Sequence, residues 1–158
     1  MATILCLTRG GKASRPNQDR AIAIARERGD EVLFLYVSDV RFLDQLASPI
    51  LVDVQEELDE MGEFMLAMAQ ERAEKAGVRA RTEVRRGVFR EALQAAIQEH
   101  HAGTVVLGSS AEGTGLTSLS FRQDLIAWLH QQTGVEVIAV NEGEVVGQHL
   151  PADKSATQ

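Results

Sequence analysis

The feature that most constrains the fold is a set of short apolar runs separated by segments with helical spacing. Four of these runs are apolar almost throughout: Thr3–Leu7, Glu31–Val37, Thr104–Leu107 and Val135–Val140. Runs of this kind are typical of parallel strands that are covered on both faces. They therefore predict the central strands of a buried sheet.

A fifth run, Val78–Val84, has a different pattern. Its apolar and small residues alternate with Arg79, Arg81 and Glu83, and Arg85 continues the alternation. A strand with one polar face and many charges is typical of the edge of a sheet. We therefore expect this run to be an edge strand.

The segments between the runs predict four helices. We expect them over Gln18–Arg28, from about Asp53 to Gly77, from Phe89 to near Gly103, and near Phe121–Gln132. Asn17 is placed to cap the first helix, and Pro49 disfavours helix at Ser48.

One methionine-rich stripe on the second of these helices allows two interpretations. Met61, Phe64, Met65 and Met68 recur at helical spacing, and we expect them to face the core. The alternative is a methionine-rich binding face.

The alternation of strand and helix specifies an α/β fold. It predicts an open, doubly wound sheet of five parallel strands with helices on both faces. We expect one domain over residues 1–142, followed by a loose polar tail over residues 143–158.

Composition excludes several classes of function. The 158 residues carry a formal net charge of −7, which argues against a nucleic-acid or membrane-surface partner. The start lacks a basic signal-peptide region, and no apolar run approaches membrane-spanning length. Cys6 is the one cysteine and lies in an apolar run, so we expect a buried, unreactive thiol and a cytoplasmic protein. No metal site is expected, because the histidines have no cysteine or acidic partner at metal-ligand spacing.

Doubly wound sheets bind ligands beyond the carboxyl ends of their strands, where the strand order reverses. Here that crevice is predicted between the loops Arg9–Pro16 and Gly108–Gly115. The candidate ligand-binding residues are Thr8, Arg9, Gly10, Lys12, Val37, Gly108, Ser109, Ser110, Gly113, Thr114, Gln123 and Asp124. Arg9, Lys12 and Arg15 are either solvated loop charges or an anion-binding cluster.

Three segments resemble the universal stress protein family over roughly residues 2 to 141. They are the first strand with its loop and helix, the segment Gly87–Leu93 leading into Thr104–Ser109, and the closing strand Val135–Val140. The resemblance implies a Rossmann-like fold of the adenine-nucleotide α-hydrolase type. It also implies a homodimer that pairs through the edge of the last strand, at Val135, Val137, Ile138 and Val140.

The nucleotide-binding branch of that family has a glycine motif from which this chain departs. The motif is a glycine, two residues, a second glycine, nine residues, and then Gly-Ser or Gly-Thr. Gly113 can be the second glycine, and the final pair then falls on Gln123-Asp124. The first glycine falls on Ser110, unless Gly108 fills that position with two extra residues in the turn. The branch also carries an acid after the first strand, and Thr8-Arg9-Gly10 contains none.

The side chains at the predicted helix start also disfavour phosphate. Ser120 and Gln123 have the spacing of a capping box, which would satisfy the free N–H groups of the first turn. Asp124 would lie near the phosphate, where like charges at roughly 6 Å repel by about 3 kcal/mol at an effective dielectric near 20.

These observations predict a stress-response or regulatory protein that acts as a dimer, without a standard ATP site and without a cofactor. A further protein partner would fit this role. The alternative is a protein that binds ATP, AMP or another phosphate ligand through Gly108–Gly115, with at most slow ATP hydrolysis. A third interpretation is a small-molecule enzyme, although no paired nucleophile and base, and hence no catalytic residue, stands out.

Overall fold

The computed structural model describes residues 2–8, 14–38, 48–109 and 119–151, which form six strands and four helices. In chain order these elements are β1 Thr3–Leu7, α1 Ser14–Arg28, β2 Glu31–Ser38, α2 Ser48–Lys75, β3 Ala80–Arg86, α3 Phe89–Glu99, β4 Thr104–Ser109, α4 Leu119–Thr133, β5 Glu136–Asn141 and β6 Glu144–His149. None of the described helices combines the length and the apolar character that a membrane span requires.

The strands form one sheet in the order β3-β2-β1-β4-β5-β6. The first five strands pair in parallel, and β6 pairs with β5 in the antiparallel direction. The predicted α/β fold is confirmed, with six strands instead of five. Strand β3 lies at one edge, as its alternating charges predicted.

Alternate residues of the buried strands pack into two apolar layers, one on each face of the sheet. On one face, Leu5 and Leu33 pack with Leu93 of α3 and Leu129 of α4. On the other face, Cys6 and its neighbours pack with helices α1 and α2; this layer includes Ile4, Phe34, Ala21, Ala25, Leu66, Ala69 and Ala73. Burial on both faces explains why the strands are continuously apolar.

Helices α1 and α2 begin earlier than the sequence predicted. Helix α1 begins at Ser14, so Asn17 lies inside its first turn and is not its cap. Helix α2 begins at Ser48, with Pro49 in the first turn. Both predictions were wrong. Proline has no N–H group, but the first turn of a helix makes no helical hydrogen bond with that group, so proline is tolerated there.

The segment after β5 is ordered, and the expectation of a loose tail is wrong for residues 144–149. Glu142 and Gly143 have φ values of 52° and 86°, which is the backbone of a two-residue hairpin turn. This turn returns the chain as β6 along the free edge of β5. Strand β5 is therefore not an edge, and the predicted dimer-edge residues are buried inside the sheet: Val135, Val137, Ile138 and Val140.

A buried carboxylate at the start of β5 holds four elements together. Glu136 is 5% exposed and accepts two hydrogen bonds from the Arg28 guanidinium, at 2.6 and 3.2 Å. It also accepts hydrogen bonds from the Thr104 hydroxyl at 2.9 Å and from Gln148 Nε2 at 2.6 Å. The hydrogen bonds from Arg28, with those from Gln148 and Thr104, lower the pKa of Glu136 from 4.5 to about 2, although burial opposes them.

Replacing Glu136 with glutamine should destabilise the protein near neutral pH. The loss should be about 2–3 kcal/mol, because the lowered pKa stabilises the folded state and Arg28 loses its partner. This contribution is complete above pH 4.5 and is lost as the pH falls through about 2. Chemical denaturation at neutral and acidic pH measures both effects. The exposed substitution Glu144→Gln is the control, and a variant with the wild-type pH profile would contradict the assignment.

Candidate functional site

The strand order reverses between β1 and β4, which run in parallel from Ile4 opposite Thr104 to Cys6 opposite Val106. At this point one chain connection leads to one side of the sheet and the next connection leads to the other side. In doubly wound sheets, ligands bind beyond the carboxyl ends of the two strands at such a reversal. Thr8 follows β1 and Gly108 lies near the end of β4, so both residues lie at this candidate crevice.

Thr8 is linked by side chains to the surface of the protein. It is 2% exposed, and its hydroxyl oxygen accepts a hydrogen bond from Gln18 Nε2 at 3.1 Å. The Gln18 carbonyl accepts a hydrogen bond from Arg72 at 2.6 Å, and Arg72 also donates to Asp19 at 2.8 Å. This chain fixes the Thr8 side chain and occupies Arg72 with protein partners.

Asn17 packs against the end of β4 and holds the hairpin turn. A Cβ atom on Gly108 would lie 2.6 Å from Asn17 Nδ2, so a side chain at this position would displace the Asn17 amide. Asn17 Oδ1 accepts a hydrogen bond from the Gly143 N–H at 3.0 Å. Arg20 Nε donates to the Gly143 carbonyl at 2.6 Å. The β5–β6 turn is thereby fixed to the first half of α1.

Asn141 provides a buried acceptor at the end of β5. It lies opposite Ser109, the last residue of β4. Its Oδ1 is buried and has no hydrogen-bond partner among the described residues. An unpaired buried carbonyl oxygen is costly, so Asn141 contributes a polar atom near the candidate site whose hydrogen bond is not satisfied among the described residues.

The family assignment rests on a direct match of the sequence. The model of the universal stress protein family matches residues 1–121. The chain belongs to the universal stress protein family. No curated protein matches it.

Solved structures share the fold of this universal stress protein at low sequence identity. UspA from Lactobacillus plantarum is 15% identical with a TM-score of 0.70, and the match covers 88% of this chain and 97% of that chain. A universal stress protein in complex with cAMP is 22% identical with a TM-score of 0.62, covering 88% and 96%. A family member from Arabidopsis thaliana with AMP bound is 14% identical with a TM-score of 0.59, covering 89% and 92%. These likenesses show the shared fold.

The structure places four of the predicted site residues of this family member at the ends of neighbouring strands. Thr8 follows β1, Val37 lies near the end of β2, and Gly108 and Ser109 end β4. Six others lie outside the described residues: Arg9, Gly10, Lys12, Ser110, Gly113 and Thr114.

Gln123 and Asp124 do not open helix α4, as the sequence interpretation assumed. The helix begins at Leu119, so both residues lie in its second turn, and both are exposed. Ser120 is within the helix and is not its cap, so the predicted capping box is wrong. The repulsion argument depended on Asp124 at the helix start, and this position removes its basis.

Sequence reasoning missed the contributions of Asn17, Gln18 and Asn141 to the site. Asn17 was interpreted only as a cap, and Asn141 was given no role. Asn17 and Gln18 are 6% and 3% exposed, which is unusual for amides. Their signal in the sequence is a polar pair just before the buried helix positions Ala21 and Ile22.

The surroundings of two other groups of this universal stress protein explain their state: the Cys6 thiol, and a cluster of two glutamates and one histidine. Burial raises the pKa of the Cys6 thiol to about 12, although Arg72 opposes the shift, so the thiol stays protonated. Glu83, Glu99 and His100 bring possible ligand atoms within 4.8 Å of one another. The Arg85 guanidinium contacts both carboxylates and supplies the positive charge there.

Replacing Gly108 with alanine should destabilise the protein by about 1–3 kcal/mol, because the new methyl group overlaps Asn17. Gly103→Ala is the matched control, since a Cβ there meets nothing within 4 Å. Chemical denaturation of both variants measures the difference. In the double variant Asn17→Ala with Gly108→Ala, the loss of stability should be smaller than the sum of the losses in the two single variants. Losses that add exactly would contradict the contact.

Proposed function

We propose that this universal stress protein is a stress-response regulatory protein that binds an adenine nucleotide at the carboxyl ends of β1 and β4. One observation carries the proposal: the strand order reverses between β1 and β4, where the buried polar side chains of Thr8 and Asn17 lie, and the buried Asn141 Oδ1 lies at the end of the next strand, β5. Two structural neighbours, with cAMP and with AMP, support this class of ligand.

The position of Asp124 also supports nucleotide binding. Helix α4 begins five residues before Asp124, which corresponds to about 7.5 Å along the axis. The side chain is exposed to solvent, where water and salt screen its charge. The first-turn N–H groups of α4 are thus not opposed by an adjacent buried carboxylate.

A nucleotide with one phosphate fits the chain better than ATP. The family motif for the triphosphate ends in Gly-Ser or Gly-Thr, and its counterpart Gln123-Asp124 is one turn inside a helix. Ser110 replaces the first glycine of that motif. The proposal is therefore a regulatory ligand site without a standard ATP site and without catalysis.

Millimolar AMP or cAMP should raise the melting temperature more than Mg-ATP does. A ligand at 100 times its Kd adds about 2.7 kcal/mol, and at roughly 2–4 °C per kcal/mol for this chain length the shift is about 5–11 °C. Asn141→Leu should reduce the shift, because it removes the buried carbonyl oxygen. Thr133→Val is the matched control at a helix end, away from the crevice.

The Asp124→Ser variant distinguishes this proposal from the alternative, in which the Asp124 side chain prevents a nucleotide from binding. With Asp124 exposed on the second turn, the variant should show the wild-type shift. Absence of a shift in wild type, with a shift appearing in Asp124→Ser, would overturn the proposal and restore the interpretation without a nucleotide.

Association of two copies is a second proposed element of the function, and strand β6 favours it. Strand β6 lies at the edge of the described sheet opposite to β3 and pairs with β5 on one side. Its Val145 and Val146 side chains are 46% and 53% exposed. In an antiparallel pair of two β6 strands, Glu144 of one copy can lie opposite His149 of the other, so the edge is self-complementary.

Val146→Lys should shift the protein from dimer to monomer, because a lysine on an edge strand opposes strand pairing. The dimer dissociation constant should rise at least about tenfold, since loss of a central interface contact costs more than 1 kcal/mol. Analytical ultracentrifugation over a concentration series measures it. Phe64→Lys, an exposed apolar position on α2, is the control. A monomeric wild type at high micromolar concentration would contradict the dimer.

A further inference from the structure

Helix α2 exposes an apolar row to solvent. Met61, Phe64 and Met68 are 58%, 66% and 43% exposed, so the expectation that this stripe faces the core is wrong for these three residues. Met65 is half-buried. We call Met61, Phe64 and Met68 the α2 apolar row.

The row is exposed because a different stripe of α2 packs on the sheet. That stripe contains Leu66, Ala69 and Ala73, which are at most 1% exposed. It also contains Gly62, where a Cβ would come within 2.7 Å of the Tyr36 ring. Small residues allow close packing there, so the larger methionine and phenylalanine side chains remain outside. The core of the protein therefore does not need the α2 apolar row.

The spacing of the row fits a docking surface for a helix. Residues at i, i+3 and i+7 lie on one face of a helix, so Met61, Phe64 and Met68 form a continuous strip. Partner helices bind such strips through apolar residues at matching spacing. Methionine side chains are flexible and polarizable, which lets them adapt to a partner surface.

Carboxylates lie along one side of the row. At 100° per residue, Glu60 and Glu71 lie beside Phe64, and Glu63 and Glu74 lie farther round the same side. All four of these glutamates are exposed. Within residues 60–75, the exposed base is Lys75, which pairs with Glu71 at 3.1 Å. Arg72, on the other side of the row, is occupied by Asp19 and Gln18.

We propose that the α2 apolar row and its acidic side bind a positively charged amphipathic helix of a partner protein. The apolar face of the partner would cover Met61, Phe64 and Met68, and its lysines or arginines would lie beside Glu60 and Glu71. The charge pattern argues for this occupant. A second copy would bring acidic side chains to acidic side chains, and an anionic membrane would be repelled by the same groups and by the net charge of −7.

A designed peptide tests this proposal directly. The probe is a fluorescent leucine–lysine peptide of about 18 residues, or five helical turns, with leucines at i, i+3, i+4 and i+7. A peptide of the same composition with alternating leucine and lysine is the control, because it has no helical apolar face. The helical probe should bind wild type with one-to-one stoichiometry in fluorescence anisotropy, and the alternating peptide should bind at least about tenfold more weakly.

Two variants of this protein separate the apolar and the charged contributions. Phe64→Gln with Met68→Gln should weaken binding at least about tenfold, since the anchors of an interface carry most of its energy. Glu60→Gln with Glu63→Gln should weaken binding and flatten its dependence on salt. All four positions are exposed, so the variants should keep the wild-type melting temperature.

Matched controls lie elsewhere on the surface. Val145→Gln with Val146→Gln removes exposed apolar side chains from β6, and Glu27→Gln with Glu91→Gln removes two exposed charges from α1 and α3. Both pairs should leave peptide binding unchanged. Equal binding of the two peptides, or equal binding to the Phe64 variant, would overturn the proposal. A Phe64 variant that dissociates a wild-type dimer without affecting the peptide would assign the row to self-association instead.

Discussion

The hydrogen bonds to the Glu136 carboxylate are the interactions on which the half of the sheet formed by β4, β5 and β6 depends. It is buried, and donors from α1, β4 and β6 converge on it. A buried carboxylate is tolerated only when its hydrogen bonds are satisfied, so the three donors must be held in place together. This requirement ties the antiparallel strand β6 to the parallel sheet at one end. At the other end of β6, the hairpin turn ties this strand to the parallel sheet.

The hairpin turn connects the edge of the sheet with the crevice. Gly143 donates to Asn17, and Asn17 lies against Gly108 at the end of β4. The same strand that covers the edge of β5 therefore also fixes a side chain at the base of the crevice. Because the Gly143 N–H, just before β6, binds Asn17, the position of the Asn17 side chain depends on where β6 is held.

The sequence predicted the parallel part of the fold well, because strands buried on both faces leave continuous apolar runs. The predicted first strand, Thr3–Leu7, matches the observed one. Strand β6 was missed because its pattern is polar: it is held by hydrogen bonds to β5 and by Gln148, and little of it is buried. The orientation of the α2 stripe was missed because two apolar faces on one helix compete, and the packing of Gly62, Leu66, Ala69 and Ala73 on the sheet decides between them. At the candidate site, the strand ends were predictable, but the role of Asn17 was not, since it arises from a contact between α1 and the hairpin turn.

The described side chains at the ends of β1 and β5 are neutral polar groups, whereas Arg9 and Lys12 of the predicted site lie outside the described residues. Thr8, Asn17 and Asn141 offer a hydroxyl and two amides, and the nearby cation Arg72 already binds Gln18 and Asp19. Neutral donors and acceptors select ligands by shape and hydrogen-bond pattern, whereas a triphosphate needs several cations or free N–H groups to offset its charge. Under the proposed function, these described side chains would recognise the nucleoside portion of the ligand, whose hydrogen-bonding groups are neutral.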